Sequence, residues 1–380
     1  MRPKNLLVLL AILLSLLFAG CGLNNENIPP AVVNNYDESS TASLQAFEDS
    51  QEKVGIDGYS ANADASPLAW GESYILMSYV AMYEGTGDIK YLQRLCLHAD
   101  RIFANRDDRH ERKDEIRAGV MPSWSTAEYS NGKRYCWLVH AGMITFPIAR
   151  LVYLVKNNKR LHSELLNKAL EYEKRLLETV NAFEPDWRDG PGNNESYYFC
   201  PYLQKALPLN QQNALGRTLV SLWLATGEIK FREKSEKMAN YFRNRLRKTA
   251  DKYSWDYWPE GTGAEDISHA AINVDFAFQC FRAGIVFDKG DMKCFCNTFK
   301  NLVVNGKGFT RNVDGSGNTD YSAQAGRWCH LAYIDTEVRN ICFSYFKTNW
   351  RQNYVTGMLA AAYIVETNRP FCEEKPSNYK

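Results

Sequence analysis

Apolar positions recur at helical spacing through almost the whole chain, and the helices they predict come in unlike pairs. Tyr74–Tyr83 is apolar nearly all round. The stretch that follows Thr86-Gly87-Asp88-Ile89-Lys90-Tyr91 has one charged face. The pattern returns further along, where Leu215–Leu224 leads into Thr226-Gly227-Glu228-Ile229-Lys230-Phe231, and Ala99 and Ala239 keep the same register. In each copy the glycine suits the end of one helix and the acidic residue suits the first turn of the next. Weaker copies follow: Ile148–Val155 into His162–Leu177, Phe276–Val286 into Met292–Leu302, and Tyr354–Val365 near the end. A helix apolar all round is a buried one. The first members therefore predict an inner ring and the second members an outer ring. The fold expected is all-α, an (α/α)-toroid of about five to seven helical hairpins, closed by repetition. No run of alternating strands competes with it.

The first residues follow a different pattern. Arg2 and Lys4 precede an apolar run, Leu6–Phe18, broken only by Ser15, and Leu17-Phe18-Ala19-Gly20-Cys21 ends it. The run is shorter than the roughly 20 residues that span a bilayer. Small residues before a cysteine predict a lipoprotein signal peptide over 1–20, removed on export, with Cys21 lipidated. Residues 21–40, rich in Asn, Pro and Ser, are expected to be a flexible tether, and 41–380 a single toroid domain. This predicts an exported, outer-membrane lipoprotein on the periplasmic or surface side, touching the membrane only through its lipid.

Composition narrows the partners. A formal net charge of +1 gives no basic field for nucleic acid. Aromatics are 13% of the chain and 22 of them are tyrosines, which suits stacking on sugar faces. Of 10 cysteines, nine remain after Cys21; with no C-x-x-C pair, mostly buried thiols are expected, with room for one or two bridges. Histidines show no metal-ligand spacing. No phosphate loop, nucleophile elbow or dinucleotide fingerprint occurs. No metal or cofactor is expected, and the protein is read as a monomer.

In a toroid the turns entering the inner helices converge on one rim. Those starts are polar: Trp70 and Glu72 in the first, Trp137 and His140 in the second, Asn210 to Asn213 in the third, Glu265 to His269 in the fourth, and Trp350 to Tyr354 in the last. Several helix N-termini aimed at one cavity favour an anion. His269 reads either as a packing residue or as a cavity histidine; Asn213 and Gln212 read as first-turn residues or as carboxylate donors. The segment 309–328 is the least helical, with turn chemistry at Asp314-Gly315, and carries Arg311, Tyr321 and Arg327.

Over residues 60–366 the chain resembles toroidal polysaccharide lyases, most closely polysaccharide lyase family 38, whose members cleave alginate or glucuronan. The resemblance lies in Leu209–Gly216, in Glu265-Asp266-Ile267-Ser268-His269-Ala270, and in Asp314-Gly315-Ser316 with Tyr321 and Gly326-Arg327-Trp328. It implies Asn213, His269, Tyr321 and Arg327 as catalytic residues, with Asn210 an alternative to Asn213. His140, Trp255, Tyr257, Trp258, Glu265, Arg311, Gln212 and Trp70 are the candidates for substrate binding. The expected reaction is β-elimination in a β-1,4-linked uronic acid polymer, an anionic polysaccharide. The chemistry agrees: removal of the C5 proton needs the neighbouring carboxylate stabilised and a group that exchanges the proton. Two rivals stand beside it. A toroidal glycoside hydrolase would depend on Asp266 or Asp275, and a non-catalytic glycan-binding lipoprotein would depend on Trp255 or Trp258.

Overall fold

A computed structural model describes residues 36–306 and 308–378. The expected signal peptide, Cys21 and most of the expected tether lie outside the described residues.

The inner elements are α2 (Ser73–Thr86), α4 (Leu138–Lys156), α6 (Leu209–Thr226), α8 (Ile267–Arg282), a 3-10 stretch (Ser322–Tyr333) and α11 (Tyr354–Glu366). Each packs against the next in that order, and α11 packs back on α2, so the ring closes. The outer elements are α1 (Glu38–Val54), α3 (Lys90–Ala104), α5 (His162–Asn181), α7 (Ile229–Arg243), α9 (Lys289–Thr298) and α10 (Thr336–Asn349). The architecture is the expected (α/α)-toroid. The inner helices are buried along nearly their whole length, as with every residue of α2 but Glu84. That explains Leu138–Lys156, which has the length and composition of a membrane span yet is 94% buried inside the ring. The outer helices bury one stripe each, such as Leu92, Leu95, Ala99 and Ile102 in α3.

The repeated Thr-Gly motif does what its chemistry predicts. Gly87 and Gly227 end α2 and α6 in the left-handed conformation, φ 77° and 70°. Their N–H groups donate to the carbonyls of Tyr83 and Trp223. At Gly142 the inner helices α4 and α6 approach so closely that a side chain would collide with the backbone of Ala214–Leu215.

Two expectations change. The 309–328 segment is expected to be the least helical part of the domain, but Ser322–Tyr333 is the fifth inner element, seated by Trp328, whose indole N–H donates to the Ile267 carbonyl (3.0 Å). The expected tether overlaps α1 by three residues, Glu38–Ser40; Asp37 caps this helix and pairs with Arg339 of α10 at 2.7 Å. Eight of the nine described cysteines, from Cys96 to Cys342, are buried free thiols.

The two ends of the ring have different connections. Turns from inner to outer helices are short, as at 87–89 and 227–228. Most returns from outer to inner helices are long and hold two- to five-residue antiparallel strands, such as Asp256–Trp258 with Thr262–Ala264. All the inner helices thus start at the end dressed with long loops. At the opposite end Arg150 and Arg282 are both held by Glu84 and Glu374, with contacts of 2.7 to 3.1 Å. Glu374 belongs to the C-terminal tail, which crosses that end; its N–H donates to the Arg282 carbonyl (2.8 Å).

Candidate functional site

A cleft of about 680 Å³ opens where the inner elements start, within the range of small-ligand sites. All six contribute: Trp70 and Tyr74, His140, Gln211, Ser268 and His269, Gln324 and Arg327, and Asn353 with Thr356. Rim loops add Tyr59, Tyr129, Leu203, Tyr257 and Trp258. No aspartate or glutamate lines it among the described residues.

Trp70 stands on a single π-helical turn, Leu68–Glu72, ahead of α2, an irregularity often found at functional sites. Glu72 turns away from the cleft. Its carboxylate meets His98 Nδ1 (2.5 Å) and accepts from the Tyr59 N–H (2.7 Å), fixing the loop that carries Tyr59.

Arg327 is the feature that sets this cleft apart. The side chain is buried, its guanidinium lies 4.7 Å from the centre of the Tyr74 ring, and Nη1 donates to Gln324 Oε1 (3.2 Å). The other buried arginines each face a carboxylate: Arg106 with Glu178, Arg150 and Arg282 with Glu374, Arg217 with Asp275, Arg339 with Asp37. Arg327 has no acidic partner among the described residues. A buried charge is costly unless it is paired, so this one is disposed to take an anion from the cleft.

His269 sits on the first turn of α8. Asp266 caps that helix: Oδ1 accepts from the N–H groups of Ser268 (2.9 Å) and His269 (3.0 Å). Its other oxygen lies 2.7 Å from His269 Nδ1. Burial would raise the Asp266 carboxyl, but the His269 contact and these N–H donors outweigh it and hold it at about 2. His269 Nδ1 is sealed from solvent while the ring is about one-third exposed, which leaves Nε2 as the nitrogen a ligand meets. A histidine oriented by a carboxylate is arranged for proton transfer. Tyr257 tilts against it with ring centres 5.4 Å apart. Burial pushes the Tyr257 hydroxyl up to about 12, so it stays a neutral phenol.

Several sequence candidates lie elsewhere. Asn213 is buried behind the wall, where Nδ2 donates to Asn273 Oδ1 (2.7 Å) and Asn273 Nδ2 donates in turn to Glu265 (2.9 Å). Glu265 is fully buried; burial, then the nearby Asp266 charge, raises its carboxyl well above the ordinary range. Asn210 is buried as well. Gln212 accepts from the Tyr198 N–H and donates to the Leu207 carbonyl, which is a structural role. Trp255 is a core residue against Phe295 and Trp328. Tyr321 is half-buried under Arg311, 4.8 Å from the guanidinium to the ring centre, and neither residue lines the cleft. The tyrosine beside Arg327 is Tyr74 instead. Asp275 is buried between Arg217 (2.7 Å) and His330 (3.1 Å), beyond the reach of a cleft ligand. The pattern along the chain picked out Trp70, His140, Tyr257, Trp258, His269 and Arg327. It missed Tyr59, Tyr74, Tyr129, Gln211 and Gln324 as site residues.

Ligand atoms of Glu265, Asp266 and His269 lie within 4.8 Å of one another. A cation there would displace the caps of α8 and face the positive end of that helix, so the cluster fits a proton relay better than a metal.

Comparison with protein-family models found no match, and comparison with curated proteins found none. Solved structures share the fold. An inactive double-aspartate variant of the family 76 α-1,6-mannanase of Salegentibacter sp. HEL1_6, in complex with mannotetrose, superposes with TM-score 0.56 at 10% identity, over 87% of this chain and 98% of that one. A D-mannose isomerase gives 0.55 at 11%, over 88% and 100%. The unsaturated glucuronyl hydrolase of Bacillus sp. GL1 gives 0.51 at 14%, over 87% and 95%. At such identities the likeness establishes the toroid alone. These three are two hydrolases and an isomerase; none is a lyase.

Proposed function

We propose that the cleft takes an acidic, uronate-containing saccharide and that the protein is a carbohydrate-active enzyme that cleaves it. The observation that carries this is Arg327, a buried cation without an acidic partner among the described residues, in an aromatic cleft lined by no carboxylate. Arg327 holds the uronate carboxylate, and His269, oriented by Asp266, exchanges the proton. The names of the toroid neighbours, a mannanase and a glucuronyl hydrolase, support hydrolysis of a uronate-bearing oligosaccharide. One observation favours a second reading, β-elimination. Hydrolysis by the usual route needs two carboxyl groups flanking the bond, whereas elimination needs a stabilised carboxylate and a proton acceptor, which Arg327 and His269 supply. As part of the same proposal, the chain is exported and anchored to the outer membrane at Cys21.

The test is product analysis after incubation with glucuronan, polymannuronate and mixed glucuronate-containing oligosaccharides. New ends without a double bond support hydrolysis; an ultraviolet-absorbing unsaturated end supports elimination. Binding without any new ends would leave a glycan-binding lipoprotein. Neither binding nor cleavage by folded protein would end the proposal.

A further inference from the structure

The two sides of the cleft differ in charge. Arg327 and His269 lie on the arc formed by α8 and the 3-10 stretch. Across the ring, the π-helical turn ahead of α2 presents Trp70, α4 presents His140, and Tyr129 leans in from a rim loop. Trp70, Tyr129 and His140 are uncharged at neutral pH, and Arg327 reaches this side from the 3-10 stretch only at Tyr74, 4.7 Å from that ring's centre.

His140 is the unusual member. The residue is 1% exposed, and its Nδ1 is sealed from solvent with no hydrogen-bond partner among the described residues. A buried polar side chain left without a partner is uncommon and calls for a reason. Here it borders a ligand cleft. Burial pulls the imidazole down to about 4, so at neutral pH it carries no charge. The Trp70 ring meets it edge-on at 5.5 Å and Tyr129 at 6.1 Å. A neutral imidazole exchanges hydrogen bonds with hydroxyl groups and offers a carboxylate no countercharge. The neighbouring ring faces suit the apolar C–H face of a pyranose.

We propose that the Trp70–Tyr129–His140 arc is a subsite for a neutral sugar. The substrate is then a mixed chain, with a uronate at Arg327 adjoining a neutral pyranose, rather than a polyuronate. This rests on the reading of the cleft as a saccharide site.

Calorimetric titration of the full chain at neutral pH tests it with two probes: a β-1,4-linked tetrasaccharide of alternating glucuronate and glucose, and tetraglucuronate. The alternating chain is expected to bind about tenfold more tightly, a difference of about 1.4 kcal/mol. His140→Ala and Trp70→Ala, each checked for an intact unfolding transition, are expected to bring the two affinities together by weakening only the alternating chain. Equal or tighter binding of tetraglucuronate by the wild type overturns the inference while leaving the acidic-saccharide reading intact. So does a preference that survives in both variants. Binding of neither probe removes that reading and this inference with it.

Discussion

The two ends of the ring treat buried charge differently. At the far end Arg150 and Arg282 share Glu84 and Glu374, and the carboxylates outweigh the burial that would otherwise lower both guanidinium pKa values. Midway, Arg217 meets Asp275, and His330 lies between Asp275 and Glu366. At the cleft end Arg327 has only an amide and a ring, and His140 Nδ1 has no hydrogen-bond partner among the described residues. One chain thus pairs its buried arginines with carboxylates where the ring must hold together and leaves Arg327 without one, among the described residues, where a ligand enters. A buried cation without a carboxylate, beside others that have one, marks a site in a way that residue type alone does not.

The contrast breaks most readily at the far end. Glu374→Ala leaves two buried arginines with one carboxylate, and chemical denaturation should show a loss of about 3–5 kcal/mol. Arg327→Gln should cost less than about 1 kcal/mol by the same measurement, because no carboxylate is orphaned and Gln324, which loses a donor, is open to water in the cleft. A large loss there would mean that Arg327 is structural. On the cleft's own chemistry, His269→Ala should lower turnover of a cleaved saccharide by about 10²- to 10⁴-fold with the fold intact. A further effect concerns pH. The folded Asp266 carboxyl titrates near 2, below its ordinary 3.8, so the unfolded chain takes up the proton first. Its contribution is therefore full above about pH 4 and is lost as the pH falls towards 2. With His269 partly exposed, this is about 1–2 kcal/mol. Asp266→Asn keeps a capping side chain but removes the carboxylate, so stability measured against the wild type should differ at pH 6 and converge near pH 2.

Much of this ring was legible along the chain because its signals are local. The all-apolar helices, the glycine stops at 87 and 227 and the polar helix starts each follow from a few neighbouring residues. That is why Trp70, His140 and His269 could be picked out. The 3-10 element was not legible, since three residues per turn breaks the helical period and Gly315 and Gly317 precede it; its helical state depends on Trp328 packing beneath Ile267. Helix α1 was hidden by its polar composition; only Phe47 among its large apolar side chains is fully buried. Tyr59 and Tyr129 reach the cleft from loops, where no periodicity points inward. Asn213 and Trp255 misled because residue type cannot distinguish a cleft-facing side chain from one a layer deeper. Arg327 was named for its place in a motif, but its missing counter-ion is visible only once every other buried arginine has been paired.

The most direct test is to titrate the protein with one glucuronate-containing oligosaccharide and with the same oligosaccharide after its carboxyl groups have been reduced to alcohols. The account predicts binding of the acidic form, loss of at least about tenfold in affinity on reduction, and no such difference in Arg327→Gln. Equal binding of the two forms by the wild type would contradict it.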